Sequence, residues 1–142
     1  MKNCIIAQSG GPTVAINASL AGVISGILKS NTFDTVYGSL NGITGILDNR
    51  LINLSRIFGK NNTECINLSN DSGDTPDMLE RLIMTPAMYL GSCRFKLPEI
   101  ESNRELYEQI FAILEEYDIK AFFYIGGNDS MDTIMKLSDY AM

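Results

Sequence analysis

Histidine is absent from the 142 residues. That excludes Ser-His-Asp hydrolysis, histidine-ligated zinc and imidazole acid–base catalysis. The cysteines are few and widely spaced (Cys4, Cys65, Cys93). An odd number at such intervals supports neither a disulfide framework nor a CxxC metal site, so a reducing, cytoplasmic setting is expected. No apolar run approaches the roughly 20 residues that span a bilayer. Met1-Lys2-Asn3-Cys4-Ile5-Ile6 runs directly into an apolar segment with no cleavage-like site, which reads as a buried strand rather than a signal peptide and argues against a membrane partner. Basic residues are outnumbered 11 to 17, for a net charge of −6, so nucleic acid is not an expected partner. An anionic ligand must therefore be held by local features against the global field.

What is present is ordinary globular material, 45% hydrophobic and 20% charged, in a length suited to one domain or one lobe of a larger one. Residues 3–8 form an apolar run that stops at Ser9-Gly10-Gly11-Pro12, a strand followed by a tight turn. Ile16, Leu20, Val23, Ile24, Ile27 and Leu28 then recur at helical spacing, with small residues between them that predict close packing on a sheet. A second strand is expected over 34–40, ending at Asn41-Gly42, and a short helix or turn over 42–48. The polar stretch 59–75 reads as a surface excursion, followed by a helix start with Thr75 as cap and Pro76 in its first turn. Ser102 or Asn103 caps a further helix to about Asp118, with Leu106, Ile110, Ile113, Leu114 and Tyr117 as its apolar stripe. Residues 120–125 give another strand, ending in Gly126-Gly127. A last helix runs from about Asp129 to Tyr140, with Ile134 and Leu137 inward.

Alternating strands and helices imply an α/β fold, a three-layer Rossmann-like parallel sheet flanked by helices. In such folds ligands gather at the carboxyl ends of the strands, where both glycine turns fall. A glycine pair lets the backbone approach a ligand, and the next helix aims unpaired N–H groups at it; phosphate suits both features. Either turn alone equally suits simple chain reversal. Neither is a Walker loop or a GxGxxG fingerprint. Between them, Arg94 in Gly91-Ser92-Cys93-Arg94 offers a planar fork to phosphate oxygens, although a lone surface arginine has the same appearance. Cys93 reads as a partly buried packing residue, with a thiol activated by Arg94 as the alternative.

Taken together, Ser9-Gly10-Gly11 with Ile16-Asn17-Ala18, then Gly91-Ser92-Cys93-Arg94, then Ile125-Gly126-Gly127-Asn128-Asp129-Ser130 form an ordered set. It resembles the 6-phosphofructokinase family across nearly the whole chain, including Asn41-Gly42 and Gly45. The resemblance implies that residues 1–142 are an N-terminal phosphoryl-donor-binding domain, incomplete because the acceptor-sugar half is absent. It implies donor contacts from Gly10, Gly11, Arg94, Gly127, Asn128, Asp129 and Ser130. Arg94 would be the catalytic group, bridging donor and acceptor phosphates and stabilising transition-state charge. The partners implied are pyrophosphate or ATP as donor and fructose 6-phosphate as acceptor, in glycolysis, with Mg2+ as cofactor and a homo-oligomer as the complete enzyme. The family's Thr-Ile-Asp-type segment, which carries the catalytic base, has no counterpart here, so the chain alone is expected to be inactive.

The resemblance is to the pyrophosphate-dependent branch. ATP-dependent members commonly read GGDGS where this chain has Gly126-Gly127-Asn128-Asp129-Ser130. Asp129 puts a carboxylate where an ATP phosphate chain would pass. Two unit charges about 4 Å apart repel by roughly 4 kcal/mol at an effective dielectric of about 20. Asp129 is thus the expected donor-selectivity residue, although an acid there also suits a helix start. Ile43, where ATP-dependent relatives often carry an aromatic residue, points the same way more weakly. Asn128 replaces the usual metal-binding acid, leaving Asn128 and Asp129 as the candidate metal ligands. The competing readings are an ATP-dependent fragment, a non-catalytic phosphate-binding or subunit-interaction module, and a generic flavodoxin-like domain. Asp129→Gly is expected to raise affinity for ATP relative to pyrophosphate about tenfold or more, as measured by the ratio of the two dissociation constants.

Overall fold

The computed structural model describes residues 2–11, 15–58 and 78–142. The surface excursion expected over 59–75, the Thr75 cap, Pro76 and Pro12 lie outside these residues. In chain order the elements are β1 (Asn3–Gln8), α1 (Ile16–Ser30), β2 (Thr35–Ser39), α2 (Ile43–Leu47), β3 (Leu51–Asn53), α3 (Leu54–Phe58), α4 (Met78–Met84), α5 (Arg104–Glu116), β4 (Ile119–Ile125) and α6 (Asn128–Ala141).

The sheet has the order β3-β2-β1-β4. β1 runs parallel to both β2 and β4, with Cys4 beside Val36 and Ala121. All six residues of β1 are buried, as a central strand covered on both faces requires. The sheet is not wholly parallel, however. β3 pairs antiparallel with β2, Gly38 opposite Ile52, and caps one edge. Three residues are too few to show a strand period, so the sequence carries no signal for it.

The layers follow from the two-residue alternation of the strands. Cys4 and Ile6 of β1 pack with Leu20, Ala21, Ile24 and Ile27 of α1, Leu54 and Phe58 of α3, and Leu82 of α4. Ile5, on the opposite side, packs with Ile43 and Ile46 of α2, Tyr107 and Ile110 of α5, and Leu137 of α6. Each fully buried aliphatic side chain contributes about 1.5–3 kcal/mol. On β4 the alternation is interrupted by a bulge between the pairs Asn3–Ile119 and Cys4–Ala121. Ile119 and Phe122 therefore face the α5/α6 layer, and Ala121, Phe123 and Ile125 face α1.

Two local expectations are corrected. Of the small residues expected to pack α1 on the sheet, Ala21 does so, whereas Gly22 and Gly26 are exposed, with no atom near the place a Cβ would occupy. On α5 the innermost residues are Tyr107 and Ile110. Tyr107 is fully buried because its hydroxyl donates to the Pro98 carbonyl at 2.6 Å, which removes the cost of taking a phenol out of water. Asn103 is the cap of α5, accepting from the Leu106 amide at 3.2 Å.

Cys4 lies fully buried at the centre of the sheet, and burial pushes its thiol from 9.0 up to about 11. In the unfolded chain it ionises near 9.0, so its share of stability is intact below that pH and is lost as pH rises through about 11. Urea midpoints should fall between pH 8.5 and 11, and Cys4→Ala should flatten part of that fall. Parallel slopes for the two proteins would contradict this.

Candidate functional site

The chain leaves β1 toward β2 on one side, while β4 lies on the other side of β1. The connections following β1 and β4 thus diverge, opening a crevice at the carboxyl ends of these two strands. Both glycine turns sit at its rim. The Ser9 amide donates to the Ile125 carbonyl at 2.8 Å, and a Cβ built on Gly10 would lie 3.6 Å from the Gly127 nitrogen. A Cβ on Gly126 would collide with the Ser130 hydroxyl and lie 2.8 Å from the Ser9 carbonyl oxygen. The two turns are therefore in contact.

The arginine loop joins them. Ser92 Oγ donates to the Gly10 carbonyl at 2.9 Å, and Ser9 Oγ donates to the Cys93 carbonyl at 3.4 Å. Residues 91–99 contain no helix or strand, so this loop must be fixed from outside itself. Three amide side chains do so. Gln8 Oε1 accepts from the Leu90 N–H at 2.9 Å, while its Nε2 donates to Asn17 Oδ1 and the Ile16 carbonyl, both at 3.3 Å. Asn17 Nδ2 donates to the carbonyls of Thr85 at 2.8 Å and Ala87 at 2.6 Å, and its Oδ1 accepts from the Tyr89 N–H at 2.9 Å. Both residues are fully buried, and each of these amide groups has a partner. On the other side, Asn41 Nδ2 donates to the Ser92 carbonyl at 3.1 Å and the Asn41 N–H to the Leu90 carbonyl at 2.8 Å.

This packing explains two glycines. Gly91 has φ +77°, and a Cβ there would lie 2.6 Å from Asn41 Nδ2. Gly42 has φ +62°, and its Cβ would lie 2.6 Å from Cys93 Sγ and 3.0 Å from the Tyr124 hydroxyl. Any side chain at either position would push the Asn41-Gly42 turn off the arginine loop.

Of the expected site residues, Gly10, Gly11, Gly127, Asn128 and Asp129 are exposed around the crevice. Arg94 is exposed too, and among the described residues its guanidinium makes no hydrogen bond or ion pair. Ser130 is different: it is buried, and its hydroxyl has no hydrogen-bond partner among the described residues. Cys93 is half-buried. Ile43 is fully buried in the α2/α5/α6 layer, so its side chain packs in the core rather than lining the crevice.

The electrostatic character comes from helix ends. The N-cap positions of α1 and α6 are Ala15 and Gly127, and neither supplies a side-chain hydrogen bond to the first turn. α5, whose N-terminus is Asn103-capped, is the contrast. Uncapped N–H groups with their positive end of the helix dipole favour an anion. No group of three or more acidic or cysteine residues that could hold a metal ion occurs among the described residues. No helix among them is long and apolar enough to cross a membrane.

Sequence reasoning did not single out Gln8 or Tyr124, nor Lys136. The Lys136 ammonium donates to the Leu97 carbonyl at 3.0 Å and pairs with Asp132 at 2.8 Å and Glu99 at 3.3 Å, tying the end of the arginine loop to α6. A polar residue closing an apolar strand, as Gln8 does, is the one signal that pointed to it.

The glycine-rich crevice and the arginine-bearing loop thus lie together at the carboxyl ends of a mainly parallel sheet, where α/β folds bind their ligands. A profile described as phosphofructokinase matches residues 3–142, so the chain belongs to the phosphofructokinase family. It is 38% identical over 137 residues to a pyrophosphate–fructose 6-phosphate 1-phosphotransferase of Halomonas elongata, covering 96% of this chain and 29% of that protein. The homonymous protein of Methylococcus capsulatus is also 38% identical, over 138 residues, with the same coverage. The crystal structure of a pyrophosphate-dependent phosphofructokinase from Nitrosospira multiformis superposes with a TM-score of 0.75 at 36% identity, covering 98% of this chain and 30% of that one. The chain thus spans less than a third of the length of these relatives.

Asn17→Leu leaves the Thr85 and Ala87 carbonyls and the Tyr89 amide without partners. These groups belong to exposed residues that water can reach, so the loss expected by urea unfolding is that of the hydrogen bonds themselves, about 1–3 kcal/mol in total. Hydrogen exchange should also accelerate at the Tyr89 and Leu90 amides. Unchanged protection there would contradict the clamp.

Proposed function

We propose that this chain is the phosphoryl-donor-binding domain of a pyrophosphate-dependent 6-phosphofructokinase, which transfers a phosphoryl group from pyrophosphate to the 1-hydroxyl of fructose 6-phosphate. The observation that carries the reading is the mutual tethering of three loops, at Gly10-Gly11, Ser92-Arg94 and Gly127-Ser130, beside two uncapped helix N-termini. In this reading the turn amides and the first turn of α6 receive the phosphate oxygens. The Arg94 guanidinium, unpaired among the described residues, is free to fold over them and to neutralise the charge that develops as the phosphoryl group moves. The orphaned Ser130 hydroxyl, beneath Gly126, gains a partner when an oxyanion enters.

Asp129 stands exposed in the first turn of α6. Its charge is favourable to the helix by about 0.3–1 kcal/mol and unfavourable to an extended triphosphate at the same mouth. Pyrophosphate, shorter and without a nucleoside, can bind without passing it. A magnesium ion entering with the donor would be held by the exposed Asp129 carboxylate, with the Asn128 amide oxygen as a neutral second ligand. When bound, such an ion would neutralise charge on the phosphate oxygens.

The acceptor is a separate question. A relative named sulfofructose kinase, from Alkalicoccus urumqiensis, is 33% identical over 131 residues and matches 91% of this chain. Similarity over this stretch therefore does not by itself select the sugar. Fructose 6-phosphate is favoured by the somewhat higher identity to the pyrophosphate–fructose 6-phosphate 1-phosphotransferases, 38% against 33%. A homo-oligomeric complete enzyme, working in glycolysis in the cytoplasm, belongs to the same reading.

Isothermal titration of the purified chain with magnesium pyrophosphate and with magnesium ATP tests the donor assignment. Pyrophosphate should bind at least tenfold more tightly. Arg94→Ala should weaken it by about tenfold or more, and Arg94→Lys should restore only part, since an ammonium lacks the two-pronged geometry. Equal affinity for both donors would contradict the reading. The chain alone should show no formation of fructose 1,6-bisphosphate, because transfer requires both partners held in register.

A further inference from the structure

The hydroxyl of Tyr124 lies under the meeting point of the loops, in a position no catalytic step uses. Tyr124 is the penultimate residue of β4, and its ring forms a wall of a surface cavity of about 410 Å³ with Ser130, Met131 and Ile134. Its hydroxyl lies at the junction of the loops. Its oxygen is 3.0 Å from the place a Gly42 Cβ would occupy, and Cys93 Sγ is 2.6 Å from that same point. The Ser9 hydroxyl, the Cys93 thiol and the backbone amide of Ile43 are its polar neighbours. One hydroxyl thus meets the first glycine turn, the arginine loop and the Asn41-Gly42 turn together. Burial raises its pKa to about 12, so at neutral pH it remains a neutral phenol able to donate and accept at once.

The amide clamps of Gln8, Asn17 and Asn41 hold residues 85–92, which stops short of Arg94. Beyond Ser92, the ties of the loop toward the crevice among the described residues are the Ser9–Cys93 bond, long at 3.4 Å, and the contact of Cys93 with Tyr124. We infer that Tyr124 is a positioning residue: its hydroxyl holds the Cys93-Arg94 segment closed on the first glycine turn and thereby sets the gap in which the donor phosphates are held. The second half of this statement rests on the donor-site reading above; the first half does not.

The test uses the thiol that the hydroxyl covers. Alkylation of Cys93 by iodoacetamide, quantified by peptide mass spectrometry, separates it from Cys4 and Cys65. In Tyr124→Phe the ring stays and the hydroxyl is lost, so Cys93 should react at least fivefold faster while the urea midpoint moves little. Ser9→Ala, which removes a partner from the other side, should accelerate it in the same direction and serves if Tyr124→Phe fails to fold. Titration with magnesium pyrophosphate should show about tenfold weaker binding by Tyr124→Phe. A Cys93 rate within twofold of the unmodified chain in both variants overturns the inference. If the unmodified chain binds no pyrophosphate, the donor reading fails, and the Cys93 rate still decides whether Tyr124 holds the loop. Faster Cys93 alkylation with unaltered pyrophosphate affinity overturns the assignment of Tyr124 to the donor gap.

Discussion

Two buried amides, Gln8 and Asn17, join parts of the chain that are 68 to 82 residues apart in sequence, from the bond of Asn17 to Thr85 to that of Leu90 to Gln8. Their donors and acceptors are taken up by one another and by the backbone of Ile16, Thr85, Ala87, Tyr89 and Leu90. In a low-dielectric interior an incomplete network of this kind would cost several kcal/mol, whereas a complete one fixes a single arrangement. The segment it grips has no secondary structure of its own from residue 85 to residue 99 apart from turns. Without the two amides, the segment leading into the arginine loop would lose its buried anchors, leaving the bonds from Asn41, Ser92, Ser9 and Lys136 to place it. The site is thus imposed on the loop by the scaffold.

The scaffold in turn explains how an acidic chain of net charge −6 can present an anion site. The helices entering from the crevice begin at Ala15 and Gly127, neither of which supplies a side-chain capping bond. The glycines that rim the crevice contribute no side chain to obstruct approach. The positive potential is local and made largely of backbone, with Arg94 as its side-chain complement. Acidic residues elsewhere on the surface are screened from it over a distance of about 8–10 Å at ordinary ionic strength.

Much of this was legible in the residues. β1 and β4 announce themselves as apolar runs ending in glycine pairs, and α1 and α6 by helical spacing, so the parallel core and the two βα turns follow from pattern alone. The Asn103 cap was legible because capping chemistry is local. Less so were features decided by contacts between distant segments. The edge strand β3 has only three residues and exists because β2 offers an open edge. Tyr107 is buried because Pro98 supplies an acceptor, and Lys136 because Leu97, Glu99 and Asp132 surround its ammonium. The small residues of α1 divide in a way the pattern does not show: Ala21 is buried, while Gly22 and Gly26 face open space. At the site, the motifs marked the three loops. What they could not show is which buried polar groups bring the loops together, because Gln8, Asn17 and Tyr124 act across the fold.

The central claim is that the three loops form one phosphate-binding unit. Backbone amide NMR during titration with magnesium pyrophosphate addresses it most directly. The account predicts that the amides of Gly10-Gly11, Ser92-Arg94 and Gly127-Ser130 shift together, with a common dissociation constant, while those of α5 stay in place. Shifts confined to one loop, or spread over unrelated surfaces with differing constants, would contradict it.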